Sequence, residues 1–315
     1  MSVGIIKFLQ ATLNRHSAPW EAEAVEAASQ LLPPDRIFGG REELLRGDAH
    51  FIWARWFLES VCDPSQFVDH KRDPYGLIFS QTVQQLRLML NGIPDDEIGQ
   101  FASPIAKLVW AEVRKRQHSG REPVSLADRQ RLVDEAGGDA RCWVCGYQFT
   151  EAAIQRFLRE GEGGPSIKPL LFVDYMTQRG RIVRHLSIEA DHVLPVAAGG
   201  TGGANLRIAC GWCNGHKSDN LSLYDQAFRP VQVRHPALGI VTVPRPFWVV
   251  RLLAYRKRCE WQGGCPRTTS NAELFVAARR QNGAMNPANL IITCEEHDPI
   301  KTHRLVNPAR LEVVE

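Results

Sequence analysis

Residues Ile188–Asp219 read IEADHVLPVAAGGTGGANLRIACGWCNGHKSD. An apolar, strand-like lead ends in Asp191-His192, a glycine-rich loop comes next, then Asn205-Leu206, then Cys210-x-x-Cys213 with Asn214 directly after it. A short apolar run closed by glycines predicts a strand and a turn. Two cysteines at this spacing predict half of a metal clip, and the other half lies upstream at Cys142-x-x-Cys145. Together Cys142, Cys145, Cys210 and Cys213 form a CxxC…CxxC pattern, which predicts a tetrahedral four-thiolate zinc site.

Working outward, the stretch between the clips predicts a helix over TEAAIQRFLREG, a glycine-rich turn, and two strand-like runs, PLLFVDYM and RIVRHLSIEAD, the second delivering Asp191 and His192 at its end. Before Cys142, SLADRQRLVDEAGGDARC predicts a short helix from a Ser cap to Gly137-Gly138. Residues 1–120 read as helices separated by proline and glycine: SVGIIKFLQATLN, APWEAEAVEAASQLL, REELLRGDAHFIWARWFLESV, DPYGLIFSQTVQQLRLMLNG and DEIGQFASPIAKLVWAEVRKRQ. Trp20, Trp53, Trp56 and Trp110 are expected in the core of this region, and Cys62 as a buried free thiol. No motif here carries a chemistry. The polar segment HSGREPVSL links this region to the half of the chain that bears the cysteine motifs.

Downstream of the opening stretch, LSLYDQAF is expected to finish a helix, VQVRHP and LGIVTVP to form a hairpin, and PFWVVRLLAYRKRC a further helix. The basic run Arg256-Lys257-Arg258 reads equally as solvated surface or as a phosphate contact, while His185 and His235 read as structural. Then a repeat emerges. Ala204-Asn205-Leu206-Arg207-Ile208-Ala209-Cys210-Gly211-Trp212-Cys213 aligns with Ala288-Asn289-Leu290-Ile291-Ile292-Thr293-Cys294-Glu295-Glu296-His297. Cys259 and Cys265 take the place of the first CxxC, which predicts a second zinc set of Cys259, Cys265, Cys294 and His297, with His303 as an alternative to His297. Asp298 stands where Asn214 stands in the first copy, and no Asp-His pair precedes it. The second copy is therefore expected to be structural or substrate-binding. The three regions are 1–120, helical; 121–230, around the opening stretch; and 231–315, around the second cysteine set.

Composition sets the outer limits. At 315 residues, 44% hydrophobic and 23% charged, the chain is of ordinary globular make-up, and no apolar run approaches the ~18–20 residues a spanning helix needs. An intracellular, cytoplasmic protein with no membrane partner is expected. Eight cysteines, seven of them after residue 141 and in metal-like pairs, fit metal binding rather than disulfides. Net charge is +3, but Lys plus Arg minus Asp plus Glu gives 13 − 15 = −2 for residues 1–120, 8 − 9 = −1 for 121–180 and 17 − 11 = +6 for 181–315. The basic excess lies with the cysteine motifs, favouring a polyanionic partner there.

The opening stretch also carries the elements of phosphodiester hydrolysis, which needs an activated water and a cation on the phosphate oxygens. The Asp191 carboxylate and the Asn214 amide oxygen are hard donors suited to Mg²⁺ or Mn²⁺, with His216 a rival to Asn214. On an alternating strand His192 points away from Asp191 and can act as general base. Asn205 can bond the backbone and orient the histidine's loop. In this order, DH…N…CxxCN bracketed by CxxC pairs, residues 141–220 resemble the HNH endonuclease family. The resemblance implies an α+β chain with a zinc-stapled ββα-metal, treble-clef-like nuclease unit. It assigns His192 as base, Asn205 as positioning residue, Asp191 and Asn214 as catalytic metal ligands and Lys217 as a phosphate contact, acting on DNA. His216 sits two residues beyond the family's position. HNH enzymes with an added helical domain resemble effectors of bacterial anti-phage defence or restriction, in which residues 1–120 would dock a protein partner. The competing expectation is a DNA-binding zinc protein whose nuclease site has decayed.

Overall fold

The computed structural model describes residues 2–16, 20–33, 40–90, 92–117, 123–159, 165–196, 200, 202–227 and 229–314. It is a mixed α+β chain with small antiparallel sheets. The polar link at 118–122 and the glycine turn at 161–164 fall outside the described residues.

The N-terminal region is helical, with α1 (Ser2–His16), α2 (Ala22–Ser29), α3 (Glu42–Val61), α4 (Tyr75–Met89) and α5 (Asp95–Gln117). On α5, Ile98, Ala102, Ala106, Val109 and Val113 form one buried stripe at helical spacing, packed against Ile78 and Leu86 of α4 and against Val61 and Cys62. Acids in its first turn and Arg114, Lys115 and Arg116 in its last match the helix dipole. The tryptophan expectation is corrected. Trp20, Trp53 and Trp56 are 97%, 65% and 64% exposed, and of the four only Trp110 packs on the core, donating its Nε1–H to Asp73. Apolar residues run all round α3, so its pattern does not say which face is covered.

Helix α3 leaves this core at its N-terminal end and enters a second one. Leu44 is buried in a cluster that also contains Leu132, Trp212, Leu274 and Ile292. Asp48, buried, accepts from Arg251 at 2.5 Å and from the Leu223 amide at 2.7 Å. Arg41, fully buried, forms a two-pronged ion pair with Glu260 at 2.8 and 2.5 Å.

That second core is built around α6 (Leu126–Ala136, capped by Ser125), α7 (Glu151–Leu158, capped by Thr150) and two hairpins. The first pairs β2 (Ile188–His192) with β3 (Leu206–Cys210), and α8 (Gly211–Lys217) comes immediately after. The second pairs β6 (Leu274–Ala278) with β7 (Leu290–Cys294). Between them α9 (Pro246–Arg256) buries Phe247, Trp248, Val249, Val250, Leu252 and Leu253, which is apolar coverage all round, and packs on α8, β6 and β7.

A third cluster joins β1 (Val173–Asp174), paired with β8 (Leu305–Val306), to the sheet β5-β4-β9 of Gly239–Val243, Val231–His235 and Glu312–Val314. The expected hairpin is therefore present. Of PLLFVDYM only β1 is a strand, of RIVRHLSIEAD the first part is a 3-10 turn before β2, and LSLYDQAF holds a 3-10 turn rather than an α-helix. α10 (Lys301–Arg304) places Arg304 in the interior, where it bonds Asp174, Asp298 and the Val276 carbonyl. No described helix is long and apolar enough to cross a membrane.

Candidate metal centres and active site

Cys142 and Cys145 sit in a tight turn between α6 and α7, closed by the amide of Cys142 on Tyr147 O and that of Gly146 on Cys142 O. Gly146 has φ +73°, and a Cβ there would lie 1.9 Å from the Ala272 carbonyl oxygen, so the position requires glycine. Cys210 closes β3, and Cys213 stands on the first turn of α8. The sulfurs of Cys142, Cys145, Cys210 and Cys213 lie within 4.8 Å of one another, and all four residues are buried. Cys145 and Cys210 are 3.9 Å apart; four sulfurs at ~2.3 Å from a tetrahedral zinc stand ~3.8 Å apart. The set fits Zn²⁺.

Arg179, from the insert between the clips, donates to Cys145 Sγ at 2.9 Å, lies over the Tyr147 ring and pairs with Glu273. Burial opposes its charge, but the surrounding sulfurs more than offset this and raise its pKa. A four-thiolate zinc carries net negative charge, and Arg179 is the cation placed against it.

The second set, Cys259, Cys265, Cys294 and His297, likewise has its ligand atoms within 4.8 Å of one another. Cys265 and Cys294 are 3.9 Å apart, and His297 Nδ1 lies 3.6 and 3.3 Å from Cys259 and Cys294. These spacings suit a Cys₃His zinc site. His303 is outside the group; its carbonyl accepts from His235 Nε2, while His235 Nδ1 accepts two amides.

The copies superimpose residue by residue in their pairing. Ile188↔Cys210 through His192↔Leu206 matches Leu274↔Cys294 through Ala278↔Leu290. In both, the residue after the first cysteine donates its amide to the middle of the second strand: Trp143 to Ile208 and Glu260 to Ile292. Asp191 and His192 thus correspond to Ala277 and Ala278.

At the first hairpin Asp191 is 3% exposed. It accepts from Trp143 Nε1 at 2.9 Å and from Lys217 Nζ at 2.7 Å. Burial raises its pKa, against the pull of Lys217 and Trp143. Lys217 also donates to the His192 carbonyl. Expected at a phosphate, Lys217 is instead buried against β2, because it lies one turn beyond Asn214 on the α8 face that crosses the strand. Asn214 donates from Nδ2 to Glu189 at 2.6 Å, and Glu189 also pairs with Arg184 at 2.8 Å. His192, half-buried, shares the strand face of Ile188 and Ala190, opposite Glu189 and Asp191. Asn205 accepts from the Leu194 amide and donates to the Leu194 carbonyl at 2.9 and 2.8 Å, bracing the chain two residues past His192. His216 packs edge-on against Trp212, and burial lowers its pKa to about 4.

Trp143 and Glu189 are the participants that motif reading passes over. Glu189 was findable, since it stands two before Asp191 on the same strand face. Trp143 carried no sequence signal beyond its place inside CWVC. The Asp191 oxygens each accept one bond and keep a lone pair, and Asn214 leaves its carboxamide oxygen outside its bond to Glu189. Both are oxygen donors of the type a hard divalent ion takes. No protein-family model matches the chain, and no curated protein or solved structure is significantly similar to it.

Proposed function

We propose that this chain is a divalent-metal-dependent DNA endonuclease of the HNH kind. The observation that carries the reading is the end of β2, where Asp191-His192 is braced by Asn205 on one side and crossed by α8 on the other, which sets Asn214 on Glu189 and Lys217 on Asp191. His192 accepts the proton of the attacking water. Asp191 and Asn214 hold Mg²⁺ or Mn²⁺, which when bound supplies positive charge to the phosphate oxygens. Lys217 and Trp143 fix the Asp191 carboxylate, and Lys217, through the His192 carbonyl, also fixes the strand end. The two zinc sets hold the hairpins in register. One such site cuts one strand, so a monomer nicks.

The test is supercoiled plasmid incubated with the zinc-loaded protein and Mg²⁺ or Mn²⁺. The expected result is open-circular product from the wild type and none from His192→Ala. Plasmid left supercoiled by the wild type under both ions sinks the proposal, and plasmid that is bound but never cut returns the chain to the class of DNA-binding zinc proteins.

A further inference from the structure

Beside Asn214 a cleft of about 530 Å³ runs between α6, α7 and β2. The edge of β2 away from β3 carries no strand partner among the described residues. Three arginines face this cleft, Arg129, Arg156 and Arg184, with Glu189, Asn214 and Phe157. Arg184 is neutralised by Glu189 at 2.8 Å. Arg129 is held by uncharged partners, the Phe157 carbonyl at 3.4 Å and the Phe157 ring, so its charge is not cancelled. Arg156 is exposed and pairs with no acid among the described residues. The cleft lining thus leaves two guanidinium groups uncompensated. The larger cleft of about 600 Å³ on the other side of the hairpin differs, since there Glu135 and Asp139 accompany Arg141, Arg207 and Lys257.

We infer that the Arg129–Arg156 cleft is the groove that takes one DNA strand to the site, with these two arginines as phosphate contacts. The inference rests on the endonuclease reading and deepens it. A row of guanidinium groups reads phosphates rather than bases, and a volume in the small-ligand range accommodates a short single-stranded stretch and not a duplex. Asn214 lines the same cleft, so a strand lying in it passes the residue proposed to hold the catalytic ion.

The experiment measures binding of a labelled single-stranded oligodeoxynucleotide, and of its duplex, by fluorescence anisotropy across a salt series. The zinc-loaded full chain is used with Ca²⁺ in place of Mg²⁺. Arg156→Ala is expected to weaken single-strand binding by about 3- to 10-fold and to flatten the salt slope by about 0.7. Arg156→Glu is expected to weaken it further, Arg156→Lys to retain most of it, and Arg87→Ala on distant α4 to leave it unchanged. Arg156 is exposed, so a wild-type thermal melt verifies that the variants fold. Wild-type affinity and slope in Arg156→Glu overturn the groove while leaving the endonuclease reading intact, and so does binding of duplex but not of single strand. A wild-type chain that neither binds nor cuts DNA overturns both.

Discussion

The hairpins β2–β3 and β6–β7 have the same five-pair register, and each ends in a cysteine of a metal set, yet a two-turn helix succeeds the first and a single 3-10 turn the second. Where the first carries Asp191-His192, the second carries Ala277-Ala278. Where Trp143 reaches Asp191, Glu260 pairs with the buried Arg41 at the start of α3. Where Asn214 meets Glu189, Asp298 is locked at 2.5 Å onto Arg304, with both side chains almost wholly buried. The same scaffold thus leaves Asn214 at a surface cleft in one copy and ties Asp298 into the interior in the other. The second cysteine set forms without an Asp-His pair, so the pair in the first copy is not needed to build the hairpin, and the proposed chemistry rests on it.

The largest effect should come from the feature the copies share. Structural zinc in small modules is worth about 10–16 kcal/mol at neutral pH, against about 5–15 kcal/mol for the stability of a whole domain. Elemental analysis of the purified chain is expected to give two zinc ions, matching the two ligand sets. Cys210→Ser and Cys294→Ser should each lose one ion, and Cys210→Ser should destroy the cooperative melt because Cys210 is fully buried in the main core. One zinc in the wild type would break the equivalence of the copies at its root.

Next comes the feature they do not share. His192→Ala is expected to slow plasmid nicking by about 10²–10⁴-fold, the range of a positioned general base, with its melting temperature close to wild type. Ala278→His, its counterpart, should leave the nicking rate unchanged. Equal losses from both substitutions would mean that the end of either hairpin serves the same structural purpose.

A third effect concerns the tie between the second copy and α3. Arg41→Ala leaves Glu260, 14% exposed, with the more distant Arg256 at 3.4 Å as its cation, so the loss is expected to fall below the ~3–5 kcal/mol of breaking a buried pair outright. Urea unfolding should show this loss, and the charge-retaining Arg41→Lys should recover part of it. Nicking by the folded fraction should not change, because the pair binds α3 to the second copy and touches nothing at the first. A selective loss of nicking in Arg41→Ala would instead make the helical region a working part of the site.

How much of this is legible in the chain alone depends on the range of each interaction. The cysteine spacings, the Ser125 and Thr150 caps, the stop at Gly137 and the strand delivering Asp191 are set within a few residues, and the sequence shows them directly. The repeat is legible because Asn205 and Asn289 precede their strands by the same single residue. What escapes is settled by distant partners: β1 pairing with β8, Asp48 meeting Arg251, and α3 dividing its buried face between two cores. The burial of Lys217 belongs to the same class, since its partner on β2 lies 26 residues away in sequence.

The smallest effect is also the sharpest. Asn205 bonds both backbone groups of Leu194, and Asn289 does the same to Arg280, accepting at 3.0 Å and donating at 3.0 Å, with a further donation to Ala284. Glycines face both amides: a Cβ on Gly200 or Gly283 would lie 2.5 Å from the respective Nδ2. Replacing Asn205 by alanine removes the partner of both the Leu194 amide and carbonyl, whereas replacing Asn289 strands the Arg280 amide, since the Arg280 and Ala284 carbonyls keep the Gly283 and Asn286 amides; at exposed loops each lost bond costs about 0.5–1.5 kcal/mol. Asn205→Ala and Asn289→Ala are therefore both expected to lose stability by urea titration, Asn205→Ala the more. Only Asn205→Ala should also slow nicking per folded molecule, because Leu194 lies two residues from His192, whereas Arg280 lies two from Ala278. Stability loss in both with nicking unchanged in both would show that the asparagine is a scaffold element in both copies, and that the geometry of His192 is set by Lys217 and β2 alone.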